Sequence, residues 1–171
     1  GRKNYFSGTD QERLDDFQEA LDDPDTKAII CNRGGYGCVR IIDSLNWSNF
    51  HQNPKWIVGF SDITVFHQFL QRNNFPSIHA TMPLNYGTNS ELALSSFFES
   101  LKGDFQGFKL NAAENNRFGS AEAEIIGGNL SIIFSLLGTN GQPNFENKIL
   151  FLEDLSENTL KKFKIRLPKV K

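Results

Sequence analysis

Apolar residues along the chain fall into two spacings, and the two alternate. In "GTDQERLDDFQEALDDP", Leu14, Phe17 and Leu21 recur at three- and four-residue steps among acids, which predicts an amphipathic helix. Thr9 or Asp10 can cap it, Glu12 lies in its first turn, and Asp22-Asp23-Pro24 ends it. "KAIICN" (27–32) and "KWIVGF" (55–60) are short unbroken apolar runs, read as buried strands. "RGGYG" (33–37) follows the first run as a turn, and "CVRIIDSL" continues as a helix. After the second run, "DITVFHQFLQRN" has helical spacing, with Ile63, Phe66 and Leu70 on one side. "PSIHAT" predicts a third short strand. Strand, turn and helix in repetition predict the α/β class, a Rossmann-like or flavodoxin-like parallel sheet with right-handed crossovers. In such sheets the functional loops lie at the carboxyl ends of the strands, where "RGGYG" and "GFSD" both fall.

The pattern changes after about residue 89. "SELALSSFFESLKG" reads as a helix, and the polar, Asn-rich "DFQGFKLNAAENNRFGSAE" follows it. "AEAEIIGGNL" then predicts a strand into a glycine turn, "SIIFSLLGT" a helix, and "KILFLED" another buried strand. The expected organisation is an α/β domain over 1–88, a connection over 89–117, and the beginning of a second domain over 118–171. No internal repeat is present.

Composition narrows this little. The 171 residues are 39% hydrophobic and 22% charged, an ordinary globular balance. A net charge of −2 gives no reason to expect a nucleic-acid partner. No apolar run is long enough to span a membrane, so no membrane partner is expected. Cys31 and Cys38 are too few for a disulfide framework and are read as reduced thiols in a cytoplasmic protein. The chain does not open on Met, and its start is expected to be a trimmed end. Residues 160–171, "LKKFKIRLPKVK", carry six Lys or Arg and are read as a solvated tail.

Four places could carry chemistry. Ser61, in "WIVGFSDITVF", stands where an apolar strand gives way to a helix. There it is either a helix cap, as Asp62 is too, or a nucleophile beside the N–H groups of a helix start. The usual G-x-S-x-G spacing is absent, since residue 63 is Ile. "RGGYG" can present backbone N–H groups to an anion or a carbonyl oxygen, but lacks the G-K-[ST] of a phosphate loop. "FLED" (151–154) ends a strand in two carboxylates, either of which could orient a histidine or cap a helix, Asp154 with Glu157 in the second case. Of the histidines, His67 is expected to point away from the elbow and to be structural or exposed, His51 lies in a polar stretch, and His79 could reach a cleft. No cluster has metal-ligand spacing, so no metal and no other cofactor is expected.

Taken in order, "YFSGTDQERLDDFQEALDDPDTKAIICNRGGYGCVRIID", "KWIVGFSDIT", "SIHATMP", "IIGGNLSIIFSLLGT" and "ILFLEDLSE" resemble the LD-carboxypeptidase family. That family includes the muramoyltetrapeptide carboxypeptidases and the microcin C self-immunity protein. The resemblance covers most of residues 5–157. It implies a serine carboxypeptidase that hydrolyses the bond before a terminal D-amino acid. The expected substrate is a muropeptide in peptidoglycan recycling, or a related peptide–nucleotide conjugate. By its G-[FY]-S-D-x-T motif it implies Ser61 as nucleophile on a strand-to-helix elbow. By its L-E-D motif it implies Glu153 as the triad acid. It implies an oxyanion hole from the amides of Asp62 and of Gly34 or Gly35, with Arg33 and Tyr36 near the substrate. Relatives of this kind are commonly homodimers. The sequence departs from the family in one respect that bears on chemistry: no histidine follows Glu153, and the triad histidine is not found in this chain. The family's first strand is also expected to precede residue 1. The alternatives to an active hydrolase are a family member without the chemistry, and an anion-binding α/β module built on "RGGYG".

Overall fold

Thr9 starts the first helix, α1 (Asp10–Asp22), in the computed structural model, which describes residues 6–105, 107, 117 and 119–154. Its hydroxyl accepts the Glu12 N–H at 3.1 Å, and the Glu12 carboxylate accepts the Thr9 N–H at 2.6 Å, a reciprocal cap. The other end is held by a residue the sequence did not advertise. Lys55, only 5% exposed, donates from Nζ to the carbonyls of Ala20, Leu21 and Asp23 at 3.1, 2.9 and 2.6 Å. A buried ammonium is tolerable here because it meets three carbonyls at the negative end of a helix.

Strands β1 (Ala28–Ile30), β2 (Trp56–Gly59) and β3 (Ile78–His79) form one parallel sheet in the order β1-β2-β3. Ile30 pairs with Val58, Val58 with Ile78, and Gly59 with His79. Between β1 and β2 lie α2 (Cys38–Ile41), a 3-10 turn at Ile42–Ser44, and α3 (Ser48–Gln52). The expected helix over "CVRIIDSL" is thus one short turn of α-helix followed by a tighter one, and α3 was not anticipated. Between β2 and β3 runs α4 (Thr64–Arg72). Helix α5 (Glu91–Leu101), capped by Ser90, lies within the stretch expected as a connection.

Because side chains alternate along a strand, β2 feeds two cores. Ile57 joins Leu21, Phe50, Phe66 and Leu70 on one face. Phe17 stacks on Phe66 there, ring centroids 4.5 Å apart. Val58 turns the other way and packs with Ile78 and with Phe97 of α5.

Strands β4 (Ile125–Asn129) and β5 (Ile149–Glu153) form a second, two-stranded parallel sheet joined through α6 (Leu130–Leu136). Two expectations fail here. Gly127 and Gly128 do not make a turn: both are inside β4, at φ +147° and +130°. A Cβ on Gly127 would stand 1.7 Å from the Phe151 carbonyl oxygen, so the close strand approach requires glycine. Nor is β5 fully buried. Phe151 is 45% exposed, because among the described residues β5 pairs only with β4.

The β4–α6–β5 unit packs on α4. Gln68 Nε2 donates to the Gly127 carbonyl at 2.6 Å, and the Asn129 N–H donates to Thr64 Oγ1 at 3.0 Å. This is why Thr64 and Gln68, polar positions on an amphipathic pattern, are buried. Glu157 and the basic stretch 160–171 lie outside the described residues.

Candidate active site

The apolar run of β2 stops at a corner that only certain residues can make. Gly59 has φ +156°, and a Cβ there would lie 2.6 Å from Ile63 Cγ1. Phe60 is extended, and Ser61 then takes φ +60°. The other described non-glycine residues at positive φ, Asn74 and Asn147, are asparagines, which tolerate it. A serine does not gain by it: left-handed backbone costs roughly 1–2 kcal/mol in an L-residue. Such strain persists where the surroundings impose it, and it gathers at functional sites. The capping alternative is not realised. The 3-10 lead-in Ser61–Ile63 and α4 have no side-chain cap at their starts. Ser61 is half-buried.

The glycine turn after β1 lies against this corner. A Cβ on Gly34 would be 3.1 Å from both Cβ and Oγ of Ser61 and 3.7 Å from the Asp62 backbone nitrogen. Asp62, 3% exposed, holds the turn: its Oδ2 accepts the N–H groups of Gly37 at 2.8 Å and Cys38 at 3.1 Å. Its Oδ2 is therefore committed to the loop, while Oδ1 has no hydrogen-bond partner among the described residues, and its backbone N–H remains beside the serine. Arg33 and Tyr36 stand at the exposed rim. Behind the loop a cavity of about 150 Å³ includes Arg13, Cys31 and Asp62 among its lining. Burial, reinforced by the Asp62 charge, pushes the Cys31 thiol up to about 12 and Cys38 well above its usual range. Both are inert thiols at neutral pH.

Register brings the acid in. Glu153 is the last residue of β5, opposite Asn129. Burial raises its pKa; the Asn129 side chain and the Ser61 N–H pull the other way, Asp154 adds to the rise, and the balance is upward. Its Oε1 is buried and has no hydrogen-bond partner among the described residues. Asp154 is used differently. Its Oδ2 accepts from the N–H and hydroxyl of Ser131, at 3.2 and 2.7 Å, and so secures the start of α6. The two adjacent carboxylates of "FLED" thus face different tasks. Asn129 was missed by sequence reasoning. Its only signal was the close-approach glycine pair ahead of it.

The histidines do not complete the group. His67 is structural, as one of its two expected readings had it, but its ring turns back to the elbow rather than away from it. It is buried, with Nε2 2.9 Å from the Gly59 carbonyl oxygen and Nδ1 2.8 Å from Ser77 Oγ. His79 is exposed at the sheet edge. Its ring lies among those of His67, Phe151 and Phe60, with centroids 5.7, 5.3 and 6.4 Å away. His51 lies on α3 against Phe75. Among the described residues no group of three or more His, Cys, Asp or Glu could hold a metal ion.

A family model for the LD-carboxypeptidase N-terminal domain matches residues 1–80, and one for the LD-carboxypeptidase C-terminal domain matches residues 122–169. Over 92% of its length the chain is 38% identical to a Synechocystis sp. protein carrying a provisional carboxypeptidase name, covering 51% of it. It is 32% identical to a murein tetrapeptide carboxypeptidase of Pseudomonas aeruginosa, covering 91% of this chain and 54% of that one. Among solved structures, the muramoyltetrapeptide carboxypeptidase of Oxalobacter formigenes superposes with a TM-score of 0.75 at 29% identity. That match covers 90% of this chain and 53% of the other. The chain spans about half the length of the relatives it matches.

Proposed function

The chain belongs to the LD-carboxypeptidase family, and from that premise we propose that it carries the nucleophile and the acid of a serine carboxypeptidase. Ser61 Oγ attacks the carbonyl of the bond before a terminal D-amino acid. The Asp62 N–H and an N–H of Gly34 or Gly35 receive the developing oxyanion. A histidine takes the serine proton and returns it to the departing amine, and water then releases the acyl group. Glu153 orients that histidine, which by the family resemblance lies downstream of the L-E-D motif. No metal or organic cofactor enters the scheme. The substrate is a small peptide, a muropeptide or a peptide–nucleotide conjugate, whose carboxylate meets Arg33 and Tyr36 at the rim.

The observation that carries this reading is the single constellation at the corner. A serine in strained φ, a glycine loop against its hydroxyl and a half-buried carboxylate with one unpaired oxygen are gathered from three separate segments. The test is release of D-alanine from an L,D-tetrapeptide by the intact gene product. Ser61→Ala should lower kcat by about 10⁴-fold or more, and Glu153→Gln should lower it strongly as well. Unchanged turnover in Ser61→Ala refutes the assignment.

A further inference from the structure

His67 is 6% exposed and has no role in the chemistry proposed for Ser61. It stands six residues beyond the serine on α4, and its ring reaches back to the residue where the sheet ends. A carbonyl oxygen can only accept, so Nε2, 2.9 Å from the Gly59 oxygen, carries the ring proton. Nδ1 then accepts, and the Ser77 hydroxyl donates to it across 2.8 Å. Burial favours the neutral ring this pattern requires, pulling its pKa down to about 4.

The target of the bond is what matters. The Gly59 carbonyl already accepts the Ala80 N–H at 3.2 Å, the last ladder bond to β3. His67 takes a second place on the same oxygen, from the helix side. The Gly59–Phe60 peptide is therefore held from the sheet and from the helix together. It lies between two positive-φ residues, Gly59 at +156° and Ser61 at +60°. A corner that holds a serine at positive φ keeps one shape only if neighbouring groups over-determine it.

We infer that His67 is a positioning residue for the corner: by clamping the Gly59–Phe60 peptide it fixes the direction in which Ser61 presents its hydroxyl. The inference rests on the reading of Ser61 as nucleophile. Glutamine can place an N–H donor where Nε2 now stands, whereas phenylalanine keeps ring volume and offers none. A loss of aim acts on the reacting atom rather than on binding, so kcat changes and KM does not.

The experiment compares His67→Phe, His67→Gln and Ser61→Ala in the intact gene product, assayed by D-alanine release. A small misplacement of a reacting group costs about 10- to 100-fold, and that is the expected fall in kcat for His67→Phe, with KM within about twofold. His67→Gln should recover kcat to within about fivefold of wild type. Equal losses in the two variants, an unchanged kcat in His67→Phe, or a change confined to KM would each overturn the inference. Should His67→Phe fail to fold, nitrogen NMR of the unmodified 171-residue chain decides. A neutral ring protonated on Nε2 and coupled to the Gly59 carbonyl supports the clamp, and an Nδ1–H tautomer overturns it. Full turnover in Ser61→Ala refutes the nucleophile instead, while the NMR result on the clamp stands separately.

Discussion

Ser61, Asp62 and Glu153 are three polar residues at one corner, and they differ in how the fold has satisfied them. Asp62 Oδ2 receives two backbone N–H bonds from the glycine loop, whereas Glu153 is met by the Asn129 side chain and the Ser61 N–H; each carboxylate keeps one buried oxygen, Asp62 Oδ1 and Glu153 Oε1, without a partner among the described residues. Removing a bonded buried carboxylate leaves N–H groups unpaired, so Asp62→Ala should destabilise the chain by about 2–4 kcal/mol. Glu153→Gln removes a charge that burial disfavours and should leave stability within about 0.5 kcal/mol or improve it. Urea denaturation of both variants checks the contrast, and a large loss in Glu153→Gln would mark that residue as structural. His67 gives a pH signature. Its folded pKa, about 4, is below the unfolded value of 6.5. Between the two, the unfolded chain binds a proton that the folded chain does not. Its contribution is therefore present above pH 6.5 and is lost as pH falls toward 4, by about 3 kcal/mol in all. His79, an exposed residue whose ring is partly desolvated among those of Phe60, His67 and Phe151, also titrates low and shares the direction. Denaturant midpoints from pH 7 to 4 should fall less steeply in His67→Phe than in the parent.

At the scale of elements, two devices join segments that sequence spacing treats as independent. Lys55 precedes β2 but ends α1, through three carbonyls. Lys55→Met keeps the stem and loses the donors, leaving carbonyls buried and unpaired; a cost of about 2–4 kcal/mol is expected from thermal or urea unfolding. The glycines of β4 do the corresponding work in the second sheet. Gly127→Ala would drive a Cβ into the Phe151 carbonyl, and Gly128→Ala would meet Thr64 Oγ1 at 2.6 Å. The first forces β4 from β5, the second lifts β4 from α4, and either moves Glu153 from Ser61. In the intact gene product, Gly127→Ala should reduce D-alanine release at least as severely as it reduces stability. Retention of full activity would show that the β4–β5 register does not position the acid.

The whole molecule brings the proposed nucleophile, Ser61, and the proposed acid, Glu153, to one corner but engages its histidines elsewhere. His67 is committed to Gly59 and Ser77, His51 is packed on Phe75, and His79 lies among aromatic rings. A serine hydroxyl without an adjacent base is a poor nucleophile. The 171 residues alone should therefore release D-alanine from an L,D-tetrapeptide about 10³–10⁴-fold more slowly than the intact gene product. Robust turnover by the 171 residues that disappears in His79→Ala would overturn this and make His79 the base.

The sequence by itself determined what short-range physics dictates. The Thr9 cap, the faces of α1 and α4, the strands at 27–32 and 55–60, and the break in pattern after Phe60 could all be read from spacing. Each depends on residues within about one turn or one strand of one another. The ordered segments that resemble the LD-carboxypeptidase family were likewise visible as a string. Only the tertiary structure showed that Ser61 stands at positive φ without capping the helix after it, because that turns on a φ angle and on which N–H groups Asp62 accepts. It alone separated Glu153 from Asp154, neighbours in sequence whose side chains meet different elements. It showed that β4 contains its glycines rather than ending at them, since the demand for glycine comes from the Phe151 carbonyl and from Thr64. It also turned His67 from a residue expected to face away into one that grips the strand before the serine. Those facts belong to contacts between segments tens of residues apart, and periodicity along a chain carries no record of them.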